Sequence, residues 1–423
     1  MVSKYTVFKM TDLYDISSGL SKKREEFGFG SPFLSFKDIF NNVFVPTTLN
    51  NRVNSSEKER QKYSVKRGDI FLTRTSEKID ELAISSVALF DYPNATFNGF
   101  SKRLRPKKGN ENIVLPEYMG FYLKSKDFRQ QINAMATMST RASLNNEMIS
   151  KLEIPIPSVS HQKTIVFILK SLLDKEKLNQ DIIANLEELS QVLFKRWFVD
   201  FEFPNENGTP YKSNNGIMKE SVLGKIPNDW NVSALENIAE NYNSFRKPLS
   251  KLEREKQENN FPYYGATKVI DYVEDYIFDG KYILVGEDGT VITNKKSPYT
   301  QYVSGKFWVS NHAHILKGKE MSDELLLLNL NNINISPFIT GAVQPKLNKK
   351  NLNSIMIVKA PKNTQNQFEK VIEPIFEKIR SLKDEIIYLT QLRDTLLPKL
   401  MSGEIELPDT LEVTEDAELL QRG

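Results

Sequence analysis

The sequence predicts an α+β fold built from two mixed domains, each followed by a long helix. Three observations predict it. The chain repeats itself, each repeat ends in an apolar stripe of helical spacing, and the middle of each repeat is rich in strand-forming residues. The two long helices are expected to pack as a coiled coil.

The repeat is clearest towards the end of each half. Leu144-Asn145 matches Leu347-Asn348 at an offset of 347 − 144 = 203, and the same offset relates Ile149 to Leu352, Leu152 to Ile355 and Gln162 to Gln365. The beginnings of the halves match at an offset of 230 − 5 = 225, which pairs Tyr5, Val7, Met10 and Leu13 with Trp230, Val232, Leu235 and Ile238. The second copy is therefore shorter by 225 − 203 = 22 residues, and its middle must hold the loss. Two modules with one scaffold and different targets would show this pattern.

Each repeat closes with a stripe of residues that steps by three and four, which is typical of a coiled-coil seam. The predicted apolar seam positions are Ile165, Ile168, Leu172, Ile182, Leu186, Leu189 and Leu193 in the first copy, and Phe368, Val371, Ile375, Leu382, Leu389, Leu392 and Leu396 in the second. Polar residues interrupt the stripes and could set register: Lys175, Asn179, Lys378 and Glu385. The alternative is one helix buried in an ordinary core. A helix from His161 to Trp197 would be roughly 55 Å long, which suits a ruler between two domains.

The middles predict strands and short helices. Strands are expected at Ile70–Leu72, Ala83–Phe90, Tyr282–Val285, Val291-Ile292 and Phe307–Val309, and Asp288-Gly289 is a hairpin turn signal between two of them. Short helices are expected at Pro116–Arg129 and Ser322–Asn331.

These patterns predict six segments. They are a first domain over 1–156, a central helix over 157–201, a linker over 202–227, a second domain over 228–361, a C-terminal helix over 362–403 and an acidic tail over 404–423. Residues 1–150 carry 23 − 16 = +7 charges, whereas the tail carries 1 − 7 = −6. A basic body favours a polyanionic partner, although solvated surface charge is the alternative. The chain has no cysteine and no apolar signal segment at its start, so we expect a cytoplasmic protein with no membrane partner.

Four motifs resemble the specificity (S) subunits of type I restriction–modification systems. Residues 224–230 (GKIPNDW) are similar to the family's G-x-I-P-x-x-W at the start of the second domain, and residues 397–405 (LPKLMSGEI) to its closing motif. Residues 154–157 (IPIP) with Gln162 resemble its strand-to-helix junction, and residues 195–201 (KRWFVDF) the end of its central helix. The second junction departs from the pattern, since it reads Val358-Lys359-Ala360-Pro361 without Pro-x-Pro.

The resemblance implies two target-recognition domains whose helices form an antiparallel coiled coil. It implies a DNA sequence-recognition subunit without catalysis of its own, which reads an asymmetric bipartite target. Two modification subunits would bring S-adenosylmethionine and methylate adenine, and two restriction subunits would bring ATP and Mg²⁺. We expect no cofactor on this chain, because it has no G-x-x-x-x-G-K-[ST], H-E-x-x-H or G-x-S-x-G motif.

DNA contacts in the first domain are predicted from its basic residues. The densest cluster is Lys102, Arg103, Arg105, Lys107 and Lys108, which we assign mainly to phosphates; a solvated strand end is the alternative. Arg74 and Thr75 follow a predicted strand, where a loop could enter a groove.

Arg141 and Gln344 lie at equivalent places, 344 − 141 = 203 apart, and suit guanine and adenine respectively. Either residue could instead cap the junction.

In the second domain the candidates are Lys295, Lys296, Asn311, His312, His314 and Lys346. The two histidines would share one face of a strand, and groove contact is favoured over metal binding because a third ligand is missing. Glu287-Asp288 could be imagined as a nuclease carboxylate pair, but a turn before Gly289 explains it better.

Two other functions remain open. A self-contained nuclease or methyltransferase would need motifs that the sequence lacks. A coiled-coil adaptor that binds proteins rather than DNA is the stronger alternative, and the basic first half counts against it.

Overall fold

A computed structural model describes residues 5–75, 81–110, 112–136, 143–256, 260–341 and 343–407. The chain forms two compact units, one of residues 1–177 with 387–423 and one of residues 178–386. Each unit combines sheets and helices, as the α+β prediction requires. No helix among these residues is long and apolar enough to cross a membrane.

Unit 1 holds the first ten strands and most of the first seven helices. The strands are β1 (Tyr5–Lys9), β2 (Tyr14–Ser18), β3 (Phe27–Leu34), β4 (Arg52–Val53), β5 (Ser64–Val65), β6 (Ile70–Thr73), β7 (Ser85–Val87), β8 (Tyr92–Phe97), β9 (Ser101–Pro106) and β10 (Glu153–Pro157). The helices are α1 (Met10–Leu13), α2 (Phe36–Asn41), α3 (Glu57–Lys62), α4 (Pro116–Tyr122), α5 (Lys126–Ala136), α6 (Asn146–Ser150) and α7 (Val159–Phe194), of which α7 continues into unit 2.

Unit 2 contains the remaining strands and helices. The strands are β11 (Met218–Ser221), β12 (Gly224–Pro227), β13 (Asn231–Ala234), β14 (Ala239–Asn241), β15 (Phe261–Tyr264), β16 (Val269–Val273), β17 (Phe278–Asp279), β18 (Tyr282–Gly286), β19 (Thr300–Val303), β20 (Lys306–Val309), β21 (Ala313–Gly318) and β22 (Met356–Lys359). The helices are α8 (Leu235–Ile238), α9 (Lys251–Arg254), α10 (Asp323–Asn331), α11 (Lys349–Asn353) and α12 (Lys362–Ser402), of which α12 ends in unit 1.

The two units repeat one topology. The sheet order β2-β9-β6-β7 in unit 1 corresponds to β14-β21-β18-β19 in unit 2, and β4-β3-β8-β5 corresponds to β16-β15-β20-β17. The parallel pairs also correspond, since β3 pairs with β8 as β15 pairs with β20. A two-stranded sheet, β1 with β10 or β13 with β22, joins the first strand of each sequence repeat to the strand before its long helix.

Equivalent strand pairs locate the 22 residues that the second copy lacks. The offset falls from 225 at the start to 283 − 70 = 213 at Ile70 and Ile283, which face Leu104 and Leu316 in their ladders. It is 316 − 104 = 212 at those partners and 203 again at Leu144 and Leu347. The net losses of 12, 1 and 9 residues therefore fall between shared strands, so the loops differ and the scaffold is kept.

Each half of the coiled coil packs inside its own unit. In unit 1 the Arg393 guanidinium lies 2.9 Å from the Glu176 carboxylate. In unit 2 the Asn179 amide donates to Glu385 at 2.8 Å, and Lys383 lies 3.7 Å from Glu187. Higher numbers on α7 meet lower numbers on α12, so the helices are antiparallel.

At every second seam position, the buried residue is the neighbour of the residue that the sequence predicted. Leu189 is 45% exposed and Val371 is 43% exposed, while their neighbours Ser190 and Ile372 are buried. The buried sets have a seven-residue spacing: Gln162, Leu169, Glu176, Ile183 and Ser190 with Ile165 and Asn179 on α7, and Gln365, Ile372 and Ile379 with Phe368, Leu382 and Leu389 on α12. The other predicted seam positions, Ile168, Leu172, Ile182, Leu186, Leu193, Ile375, Leu392 and Leu396, are partly buried. The prediction holds at one of the two heptad positions, where Ile165, Phe368, Leu382 and Leu389 are buried, and is wrong by one residue at the other. On α7 that other position carries Glu176 and Ser190, which an apolar pattern skips.

Several local predictions also need correction. The strand expected over Ala83–Phe90 is confined to β7, since Ala83 has a positive φ of 53°. The helix expected over Pro116–Arg129 is divided into α4 and α5. Asp288-Gly289 does not close a hairpin with Val291, because β18 pairs with β19 and Val291 accepts from Tyr299 instead.

The segment predicted as a linker is folded. Strands β11 and β12 form a hairpin, and the Phe203 ring stacks on Tyr211 at 4.7 Å and on the buried Trp230 at 5.0 Å. It therefore belongs to the core of unit 2. The acidic tail from residue 408 lies outside the described residues.

Candidate nucleic-acid interface

In each unit, three segments meet at one end of one four-stranded sheet, which is β2-β9-β6-β7 in unit 1 and β14-β21-β18-β19 in unit 2. We call this place the loop junction. In unit 1 it comprises Arg74-Thr75 after β6, Asn98–Phe100 between β8 and β9, and Ser143-Leu144 before α6. The Arg74 amide donates to the Phe100 carbonyl at 2.8 Å, and the Leu144 amide donates to the Arg74 carbonyl at 2.8 Å. Thr75 and Ser143 form a β-bridge.

The loop junction of unit 2 has the same backbone hydrogen bonds. The Glu287 amide donates to the His312 carbonyl at 2.8 Å, and the Leu347 amide donates to the Glu287 carbonyl at 2.8 Å. Asp288 and Lys346 form the equivalent bridge. Arg74 therefore corresponds to Glu287, Phe100 to His312 and Ser143 to Lys346.

Most of the basic residues that were predicted to bind phosphates make hydrogen bonds within unit 1 instead. Arg103 is buried, donates to the Ser64 carbonyl at 2.7 Å and lies over the Phe97 ring at 5.3 Å. Arg105 makes two hydrogen bonds to the buried Asp69 carboxylate, of 2.7 and 2.5 Å. Burial raises the pKa of Asp69, and Arg105 opposes that rise. Lys107 donates to the Thr11 carbonyl at 2.6 Å, which leaves Lys108 as the exposed member.

The assignment of Arg103, Arg105 and Lys107 to DNA phosphates is therefore corrected. Arg103 and Arg105 lie on β9, whose first four residues are buried, and Lys107 follows it directly, so all three side chains find partners within unit 1. A basic run in sequence gives no sign of such internal partners.

Lys102 and Arg74 lie together at the loop junction. The Lys102 ammonium is buried and donates to Ser18 at 3.1 Å and Asn146 at 3.0 Å, so it supports the junction from within. Burial lowers the pKa of Lys102, and the nearby Arg74 lowers it further. Arg74 and Thr75 are exposed, and among the residues that the structure describes the Arg74 side chain makes no hydrogen bond or ion pair. Arg74 is thus an exposed positive charge at this site, and we call it the open cation of unit 1.

His314 takes the place of Lys102 in unit 2 and is not a groove contact. It is buried, its Nε2 donates to the Leu347 carbonyl at 2.7 Å, and its Nδ1 accepts from the Asn243 amide at 2.7 Å. Those two partners define a neutral imidazole, and burial lowers its pKa. His312 does not share a strand face with His314, because it lies in the turn before β21.

Both carboxylates of this junction have partners within unit 2. Glu287 lies 2.8 Å from Arg246, 3.6 Å from Lys346 and 3.7 Å from His314. Burial would raise the pKa of Glu287, but the hydrogen bond from Arg246 and the nearby charge of Lys346 hold it below its ordinary value. Asp288 lies 2.6 Å from Nδ1 of the exposed His312. Within the described parts of the chain, no three such side chains are arranged to hold a metal ion.

The remaining candidates lie on exposed loops. Lys295, Lys296, Asn311, Gln344 and Lys346 are exposed in unit 2, and the Asn311 carbonyl accepts from Arg246 at 3.1 Å. Arg141 lies outside the described residues, so its position beside the unit 1 junction stays a prediction.

Sequence reasoning missed Asn243, Arg246 and Phe100. Asn243 corresponds to Ser18 at an offset of 225, and that offset could have found it. Arg246 and Phe100 gave no comparable signal, because a lone arginine and a lone aromatic in variable loops have no pattern.

Comparison with known proteins places this geometry in a family. A family model described as the type I restriction modification DNA specificity domain matches residues 2–188 and 227–391. The type I restriction enzyme MjaIX specificity subunit of Methanocaldococcus jannaschii is 25% identical, over 96% of this chain and 94% of its own length. The HindI specificity subunit of Haemophilus influenzae is 24% identical, over 94% of this chain and 99% of its own length.

A solved structure agrees at the level of fold. The type I restriction–modification S subunit from M. genitalium has a TM-score of 0.54 and 16% identity, and the match covers 96% of this chain and 97% of that one. With the family model matched in both units, the chain belongs to the type I restriction–modification specificity subunits, the family that recognises DNA sequence.

Proposed function

We propose that this chain reads an asymmetric bipartite DNA target, with one half-site for each loop junction. The observation that carries the proposal is the pair of junctions itself. Their backbones make the same hydrogen bonds, while Arg74 stands in one where Glu287 stands in the other. Because base discrimination depends on the side chains that reach the groove, equivalent loops with different chemistry should read different bases.

The proposal assigns methylation and cleavage to partner subunits. Two modification subunits would use S-adenosylmethionine to methylate adenine, and two restriction subunits would use ATP and Mg²⁺. Helices α7 and α12 each contribute to both units, so we assign to them the constant spacing between half-sites.

The test is a methylome. The chain is co-expressed with the modification subunit of its own system, and host DNA is sequenced for N6-methyladenine. One asymmetric bipartite motif, present only when this chain is present, is the expected result. Methylation without this chain would overturn the proposal, as would none from a partner shown to bind S-adenosylmethionine.

A salt titration tests DNA binding against the adaptor alternative. Phosphate contacts release counterions, so affinity for duplex DNA should fall steeply and linearly on a log–log plot against salt. An affinity that is negligible at low salt, in the complex with the modification subunit, would favour a protein-binding adaptor.

A further inference from the structure

Phe100 and His312 occupy the same backbone position in the two loop junctions. Each carbonyl accepts from the first residue after the neighbouring strand, Arg74 or Glu287, at 2.8 Å. Phe100 is 67% exposed, and the His312 side chain is 51% exposed. One outward-facing ring in each unit therefore marks the point where the three segments meet.

The turn that carries Phe100 is braced from inside. The Asn98 amide donates to the Leu34 carbonyl at 3.2 Å, and the Asn98 oxygen accepts from Ser101 at 3.0 Å. A Cβ on Gly99 would come within 2.2 Å of the Ser21 hydroxyl, so the turn lies tightly against its neighbour. The phenyl ring is held outward by a preorganised turn, which lowers the entropy lost when it contacts a ligand.

The turn that carries His312 is braced by other partners. The Arg246 guanidinium donates to the Asn311 carbonyl at 3.1 Å and to the Ala313 carbonyl at 2.8 Å, on either side of His312. The same backbone position is thus held in each unit by hydrogen bonds from side chains specific to that unit.

The hydrogen bond from His312 to Asp288 fixes which ring nitrogen faces outward. A carboxylate accepts hydrogen bonds and does not donate them, so the His312 Nδ1, at 2.6 Å from Asp288, carries the proton. In the neutral ring, Nε2 is then an acceptor. Phe100 offers an apolar ring at the equivalent place.

We propose that Phe100 and His312 are the paired base-reading side chains of the two half-sites. Phe100 contacts the C5-methyl group of a thymine, and His312 accepts a hydrogen bond from the exocyclic amino group of an adenine or cytosine. These groups line the major groove, where they distinguish base pairs. Arg74 beside Phe100 supplies the positive charge that attracts the backbone or a guanine. The inference rests on the proposed bipartite reading and names the chemistry of each half.

The methylome of variants tests the inference. Phe100→Ala should relax the motif at one thymine of one half-site and lower methylation there, with roughly tenfold weaker DNA binding. The other half-site should not change and is the internal control. His312→Ala should relax only that second half-site.

Phe90→Ala is the matched control in unit 1. Phe90 is also an exposed phenylalanine, but it precedes β8 while Phe100 follows it, so it lies at the other end of that strand. This variant should keep the wild-type motif. Equal effects of Phe90→Ala and Phe100→Ala would overturn the assignment.

Modified duplexes separate base contact from a merely structural role. In the assembled methyltransferase complex, deoxyuridine replaces each thymine of the first half-site in turn, which removes the C5-methyl group alone. One replacement should weaken wild-type binding about fourfold, as expected for one buried methyl group. The Phe100→Ala complex should not distinguish thymine from uracil at that position.

The corresponding probe for His312 is purine 2′-deoxyriboside in place of deoxyadenosine, or 2-pyrimidinone 2′-deoxyriboside in place of deoxycytidine, since each lacks only the exocyclic amino group. Wild type should lose affinity, and His312→Phe should be indifferent. If wild type shows a bipartite motif but all variants respond to the probes as wild type does, the ring assignment fails and the proposed function stands. If wild type shows no motif, the proposed function itself fails.

Discussion

The two loop junctions have one backbone arrangement and opposite chemistry. In unit 1 an exposed arginine stands over a buried lysine, whereas in unit 2 a glutamate surrounded by Arg246, Lys346 and His314 takes the arginine's place. The buried supports differ as well, since Lys102 bonds Ser18 where His314 bonds Asn243. The backbone fixes where a contact is made, and the side chains can change without disturbing it.

The two units also differ at the start of each sequence repeat, where Tyr5 and Trp230 occupy equivalent positions. Trp230 is buried among Phe198, Phe201 and Phe203, with ring centroids 5.0 to 5.5 Å away. Its counterpart Tyr5 is only partly buried, and its hydroxyl donates to the Leu400 carbonyl at 3.3 Å. Unit 2 has an aromatic core to which the folded segment before the second repeat contributes Phe201 and Phe203.

The largest expected effect on stability comes from removing the Trp230 side chain, which tests this second contrast. Trp230→Ala should lower the free energy of unfolding by about 3–5 kcal/mol, because it leaves a large cavity among three aromatic rings. Tyr5→Ala should cost about 1 kcal/mol, since it removes one hydrogen bond and a partly buried ring. Urea unfolding measures both, and equal losses would contradict the proposed asymmetry.

Two variants on helix α7 test which of its residues lie in the seam. Ile183→Ala should cost about 2–3 kcal/mol, because Ile183 is buried within the unit 2 core. Leu189→Ala should cost less than about 1 kcal/mol, because that side chain is exposed. Thermal unfolding of the two proteins gives the comparison. The reverse order of stability would restore the seam predicted from the apolar pattern.

Arg74→Ala tests the open cation of unit 1. Loss of one phosphate or guanine contact should weaken DNA binding by about 1–2 kcal/mol, and for a phosphate contact it should also reduce the salt slope by about 1. Arg105→Ala is the contrasting variant: it should destabilise the fold, because it leaves Asp69 buried without its partner. Fluorescence anisotropy over a salt series, with unfolding measured in parallel, distinguishes the two roles.

The smallest effect concerns pH. Burial lowers the pKa of His314 in the folded chain, so the unfolded state binds more protons at acidic pH. The stability contributed by neutral His314 is therefore present above its ordinary pKa of 6.5 and is lost as pH falls below it. Going from pH 7.5 to 5.5 should therefore lower the free energy of unfolding through this group. In His314→Gln that part of the pH dependence should disappear; an unchanged profile would assign it elsewhere.

The repeat determined most of the architecture from sequence alone. The offsets of 203 from Leu144 to Leu347 and of 225 from Val7 to Val232 predicted two units of one topology, and the β1–β10 and β13–β22 pairs preserve both offsets. Helical stripes predicted α7 and α12, because spacing along a helix is a local property. The phase of the seam was less accessible, since buried Glu176 and Ser190 interrupt the apolar pattern.

Side-chain roles at the junctions depended on partners far away in the chain. From sequence, Arg103 and Arg105 were predicted to bind DNA, but in the fold they bond Ser64 and Asp69. His314 was predicted to contact a groove, but in the fold it is enclosed by Asn243 and Leu347. The sequence by itself determined two copies of one scaffold, their long helices and the family. Only the tertiary structure decided which charges are satisfied inside and which side chains face outward, because burial and pairing are set by residues that the sequence separates by 30 or more positions.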